Sequence, residues 1–268
     1  MRIFKLYDED NSRDVGTLLY YEREKTFICE LEDDLDEWTA PFHFAAFVKR
    51  GIYTIPRDES LRWVRSRIIP PSRQNIDLIL QNHRLKEYDE RIFLELSHGR
   101  CSQDSIRVES VSVLPDYVIR RQEKNLTGCI RLSGHSLLCV FADGTVRKID
   151  LESMAGSGRY NDIGKVLNNE ALYDTCRLGT GGYYITFNDS IDIPSGALYG
   201  EGVLLPVSPE DLRLMVIHGL LDTTSACDML NCTRQNLSYM MGKGAITPVV
   251  TGVKGNLFLR DDVLRNMW

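Results

Sequence analysis

"TTSACDMLNCTRQNLSYMMGKG", Thr223 to Gly244, has the pattern of two short helices joined by a tight turn. Thr223 or Thr224 can cap a first helix that carries Ala226, Met229 and Leu230 on its apolar face. Asn231 suits the stop, because an asparagine tolerates the left-handed backbone that a tight helix exit needs. Thr233 then caps a second helix, with Leu237 and Met240 or Met241 facing inward. That arrangement leaves Arg234, Gln235, Ser238 and Tyr239 outward in its N-terminal half. Arginine and glutamine side chains make paired hydrogen bonds to base edges, and helix N-termini attract phosphate. Lys243 ends the helix. The run "VVTGVKGNLFL" from Val249 reads as a hairpin that would offer Lys254 and Asn256 to a DNA backbone.

Charge has to be weighed against that reading. The 268 residues carry 32 Lys and Arg against 38 Asp and Glu, a net charge of −6, which argues against nonspecific coating of nucleic acid. The excess is local. Residues 1–111 hold 17 basic and 21 acidic side chains, 112–208 hold 9 and 11, and 209–268 hold 6 and 6. Because phosphate contacts are local, a small DNA-binding module at the C-terminal end stays compatible with an acidic chain.

Upstream, the pattern changes twice. Residues 1–56 read as strands: "GTLLYYEREKTFICELE" places two apolar runs around "EREK", a hairpin, and "FHFAAFVKRGIYTIP" is expected to continue extended. Helices follow Pro56. "ESLRWVRSR" carries Leu61 and Val64, Ser72 can cap a helix with Ile76, Ile79 and Leu80, and "EYDERIFLELSHG" ends near Gly99. From Val111 strands return. "SLLCVFADGTVRKIDL" turns at Asp143-Gly144, "GTGGYYITFNDSIDIP" turns near Asn188-Asp189, and "PSGALYGEG" reads as turns. Ser208-Pro209-Glu210-Asp211 announces a helix striped by Leu212, Met215 and Val216. The expected organisation is α+β and multidomain. It comprises a strand-then-helix domain over 1–110, a small α+β domain over 111–207, and a winged helix-turn-helix DNA-binding domain over 208–268.

The C-terminal stretch "TTSACDMLNCTRQNLSYMMGKGAI…GNLFLRDDVL" resembles the excisionase and MerR-type winged helix-turn-helix family. Asn231 stands where that family usually has glycine, and basic residues after Thr233 are fewer than usual. The resemblance implies DNA reading by the helix from Thr233. The middle region, with Phe141, Gly144, Arg147, Asp150, Leu151, Tyr173, Phe187, Ile191 and Asp192, resembles a small bacterial α+β family of unknown function. Its members occur near or fused to toxin-antitoxin and helix-turn-helix modules. "VGTLLYYEREKTFICEL" and "LRWVRSRIIPPSRQNIDLIL", with Arg67 to Arg73 and the later "CSQDSIRV", resemble the leading domain and connector of HipA-type kinases, but no kinase body follows.

Other chemistry finds little support. Arg57, Arg62, Arg65, Arg67 and Arg73 could meet phosphate, but pairing with Asp58, Glu59 and the acidic run Glu30–Glu37 is the simpler expectation. "GTGG" at Gly179–Gly182 reads as a turn. His43, His83, His98, His135 and His218 are too scattered for a catalytic motif. The seven cysteines have no Cys-x-x-Cys pair, so neither a metal site nor a disulfide framework is expected. Neither catalytic residues nor a cofactor is expected. With no signal-like start and no long apolar run, a cytoplasmic protein without membrane contact is expected. The expected role is a sequence-specific regulator or antitoxin-like protein of a bacterial or mobile-element operon. It would bind double-stranded DNA as a homodimer, with a toxin or recombinase as a further partner. The alternatives are an excisionase-like architectural factor and a protein-contact module whose helix-turn-helix does not touch DNA.

Overall fold

The structure is a computed structural model that describes residues 1–156, 160, 162–253, 255–259 and 263. It is a mixed α+β protein with several small sheets. The chain divides into two compact units: residues 1–143 with 149–202, and residues 144–148 with 203–268.

The first unit begins with β1 (Arg2–Asp8), β2 (Arg13–Tyr21) and β3 (Thr26–Leu31). β2 and β3 form the hairpin expected around "EREK", pairing from Gly16↔Leu31 to Tyr21↔Thr26. A 3₁₀ turn at Phe42–Phe44 and α1 (Ala45–Val48) replace the extended run expected there. Pro41 supplies a pre-set φ, and Ala45-Ala46 favour helix, so Phe44 and Val48, four apart, bury together. The chain continues through β4 (Thr54–Ile55), α2 (Arg57–Arg65), α3 (Ile76–Asn82), α4 (Glu90–Ser97) and β5 (Ile106–Val111). Asn75, not Ser72, precedes α3, and no side-chain hydrogen bond caps it. The five strands form one antiparallel sheet in the order β4-β3-β2-β1-β5.

β2 explains why this sheet does not stand alone. Every residue from Val15 to Tyr20 is buried, so both faces of the strand are covered. Leu18 and Tyr20 face a core with Phe4, Trp63, Phe93 and Leu94 from β1, α2 and α4. Leu19 and Ile28 face the other way, against Tyr117, Val118, Tyr183 and Tyr184. Tyr117 and Val118 lie on α5 (Asp116–Gln122), a helix where strands were expected. Residues on both sides of position 110 therefore share one core.

Polar contacts reinforce that junction. The Glu30 side chain is wholly buried; it pairs with Arg121 Nη1 at 2.8 Å and accepts from Thr54 Oγ1 at 2.7 Å. Burial pushes its carboxyl above the usual range, against the pull of Arg121 and Thr54. The Thr17 and Tyr117 hydroxyls meet at 2.8 Å.

Beyond α5 come β6 (Leu126–Leu132) and β7 (Ser136–Phe141), an antiparallel hairpin, then β8 (Val146–Asp150). α6 (Leu151–Gly156), α7 (Ile163–Leu167), α8 (Glu170–Tyr173), β9 (Arg177–Leu178), β10 (Tyr184–Phe187), β11 (Ile191–Pro194) and α9 (Ser195–Glu201) complete the unit. They enclose a second core with Leu137, Phe141, Ile149, Phe187 and Leu198. The turn between β10 and β11 falls at Asn188-Asp189, both at positive φ, as the sequence pattern predicts. "PSGALYGEG" is not a run of turns: Pro194 starts α9, and Ser195 and Leu198, three apart, bury. "GTGG" is a close-packed 3₁₀ turn. At Gly182, with φ +71°, a Cβ would sit 2.0 Å from the Leu126 carbonyl oxygen, so only glycine fits.

In the second unit β12 (Val203–Leu205) pairs with Val146–Lys148, the part of β8 that belongs to this unit. There follow α10 (Pro209–Gly219), β13 (Leu220–Asp222), α11 (Thr223–Leu230), α12 (Arg234–Gly242), β14 (Val250–Val253) and β15 (Gly255–Leu259). The last three strands form an antiparallel sheet in the order β13-β15-β14. α10 starts as expected: Ser208 accepts from the Asp211 amide, and Asp211 accepts from the Ser208 amide. Its expected stripe is not buried, however. Leu212 is half-covered, while Met215 and Val216 are exposed. Among the described residues no helix is long and apolar enough to cross a membrane.

Candidate nucleic-acid interface

The candidate surface is built on a small core in which Ala226 and Cys227 of α11 meet Leu237 of α12, with Ile246, Phe258 and Val263 completing it. Two local devices set the helices. Asn231 takes φ 49°, ψ 48° at the end of α11, the left-handed stop its side chain favours. Thr233 then accepts from the Asn236 amide at 3.2 Å and caps α12.

The cap of α11 is not a threonine. Asp222 accepts from the Ser225 amide at 2.7 Å, and this bond holds its carboxyl below the usual range. Thr223 is turned to the hairpin instead, where its hydroxyl donates to the Asn256 carbonyl at 3.4 Å and accepts from the Asn256 amide at 3.3 Å. An aspartate just before "TTS" is itself a cap signal, and β13 ends on it, so strand and helix share the residue.

Helical spacing does the rest. Leu237 points into the core, while Thr233, Arg234, Gln235, Ser238, Tyr239 and Lys243 are all exposed. Arg234 donates from Nη2 to Thr224 Oγ1 at 3.1 Å, which aims its guanidinium across the space between the helices. The Lys243 ammonium lies 5.7 Å from the Tyr239 ring centre, joining a cation to an aromatic face. Six of the expected residues thus lie along one exposed helix.

Asn256 and Lys254 fare differently. Asn256 is half-buried; besides its backbone bonds to Thr223, its Nδ2 reaches Met241 Sδ at 3.8 Å. It pins β15 to α11 and α12 and does not stand out on the hairpin. Lys254 lies outside the described residues.

The first unit offers a different arginine cluster, and Arg57, Arg62, Arg65 and Arg67 in it already meet acids. Arg57 grips Asp192 through Nε at 2.7 Å and Nη2 at 3.1 Å, so its main partner is a distant strand residue and not Asp58. Arg62 pairs with Glu59 at 2.6 Å, as expected, and Arg65 with Glu90 at 3.0 Å. Arg67 is buried, stacks 4.0 Å from the Trp63 ring centre, pairs with Asp104 and donates to the Gly99 carbonyl at 2.9 Å. Arg73 donates to Asn75. The acidic run instead meets Arg13, Lys49, Arg120 and Arg121. Among the described residues no three His, Cys, Asp or Glu side chains gather in a metal-binding group, and the seven cysteines are free thiols.

No protein-family model matches the chain, and no curated protein or solved structure is similar to it.

Proposed function

We propose that the second unit reads double-stranded DNA as a winged helix-turn-helix, with α12 in the major groove. The observation that carries this reading is the split of α12 into two faces. Leu237 closes the core, and Arg234, Gln235, Ser238 and Tyr239 stand exposed around a capped N-terminus. Arg234 and Gln235 meet base edges, while the α12 N-terminus and Lys243 meet phosphates. The β14–β15 hairpin serves as the wing beside the groove. The role is that of a sequence-specific regulator or antitoxin-like protein of a bacterial or mobile-element operon.

So few basic side chains make affinity modest and sensitive to salt. Fluorescence anisotropy on DNA from upstream of the chain's own gene, over a range of salt, tests the reading. Arg234→Ala/Gln235→Ala is expected to lower affinity for the preferred sequence by about tenfold or more, with little change on scrambled DNA. Equal, weak binding by both proteins to both DNAs would overturn the assignment.

A further inference from the structure

α10 is a helix with no buried residue, although four consecutive side chains in it are apolar. Leu214, Met215, Val216 and Ile217 are 40%, 65%, 52% and 52% exposed. The helix is well made, with a proline at its first turn and a reciprocal capping box. Yet an isolated 11-residue helix is marginal in water, so its persistence calls for packing along a side. One side already has some cover: Leu212 and Gly219, seven residues apart, are half-buried. At about 100° per residue, Asp211, Leu214, Met215 and His218 fall on a different stripe, at positions i, i+3, i+4 and i+7. All four are exposed.

That stripe is self-complementary. The sums 211 + 218 and 214 + 215 are equal, so two antiparallel copies crossing between Leu214 and Met215 bring like stripes into register. Each Leu214 then lies beside the other copy's Met215. Each Asp211 carboxylate, placed at a helix start, faces the other copy's His218 imidazole, placed at a helix end. Antiparallel helices also set opposite dipole ends side by side. A two-fold contact of this kind uses the same patch twice, as homodimers do.

We infer that α10 is the dimerisation helix, and that its partner is a second copy of this chain, paired antiparallel about Leu214 and Met215. The inference rests on the DNA-reading proposal only for its purpose, which is to place two copies of α12 on one DNA. Leu214 and Met215 present roughly 200 Å² per copy, about a quarter of what one partner contributes to a standard interface. The dimer is therefore weak and reversible, and a DNA site with two half-sites completes it.

Sedimentation equilibrium of the full chain without DNA is the test. The wild type is expected to show a monomer–dimer equilibrium, and Leu214→Glu to weaken it by about tenfold or more. Met215→Cys places the two thiols about one residue apart across the axis, so mild thiol oxidation should give a cross-linked dimer. Val216→Cys, also exposed but off the stripe, should cross-link no more than the wild type with its own cysteines. A strictly monomeric wild type, a dimer untouched by Leu214→Glu, or equal cross-linking at both positions overturns the inference. DNA affinity is read separately. A monomer that still discriminates DNA sinks only the dimer, and a dimer that ignores DNA sinks only the reader.

Discussion

α2 and α12 both carry arginine at a helix surface, and in sequence α2 is the richer in positive charge. Folding reverses their standing. The α2 region holds each arginine against a carboxylate, a carbonyl or an amide, and Arg67 is drawn under Trp63 into the core. α12 holds no acidic residue, and its one arginine is bonded only to a neighbouring hydroxyl. Counting basic residues therefore overstates how many of those on α2 are available to a partner. What decides availability is whether an acid lies within reach, and the first unit has a surplus of acids to spend.

The comparison can be broken in several places. Arg121→Ala should have the largest effect, because it leaves Glu30 buried beside an empty site. Losing one partner of a buried pair costs about 3 kcal/mol or more, read as a lower urea midpoint. On DNA, Arg62→Ala/Arg65→Ala should leave affinity and its salt slope unchanged; a slope reduced by about two would mean that these arginines also meet phosphate. Thr233→Ala should destabilise the second unit by about 1 kcal/mol through the lost cap, visible in hydrogen exchange of the first amides of α12.

The smallest effect is in pH. Burial raises Asp33, but hydrogen bonds from Arg121 and Arg120 outweigh it and hold the carboxyl below its ordinary 3.8. A lowered folded value means stability that is present above the unfolded value and lost as pH falls through the folded one. Glu30 runs the other way, with stability present below its ordinary 4.5 and lost as pH rises through its raised value. Asp33→Asn should therefore flatten the acid limb of the urea midpoint below about pH 4, and a limb unchanged by it would mean that Arg121 answers to Glu30 alone.

The second unit was largely legible in the sequence because its signals are local. Asn231 at the stop, Thr233 at the cap and Leu237 four residues into α12 each act within one turn. The first unit was less legible because its decisive contacts are distant in sequence. Nothing local tells that Arg57 will reach Asp192, or that Tyr117 will cover Leu19 and meet Thr17. The available hint lay in β2: "VGTLLY" carries no charge and has Leu18 and Leu19 on opposite faces, and a strand covered on both faces needs a second layer. At α10 the local signals foretold the helix and misplaced its apolar side, because capping fixes where a helix starts and not what it packs against.

The Glu30–Arg121 pair has a consequence for heredity. A recombination joint near residue 110 would separate a carboxylate from its cation, and Thr17 from Tyr117. Neither fragment could keep its interior satisfied. Residues 1–143 and 149–202, which also share the Arg57–Asp192 pair and the core around Leu19, Tyr183 and Tyr184, can thus be exchanged between genes only together.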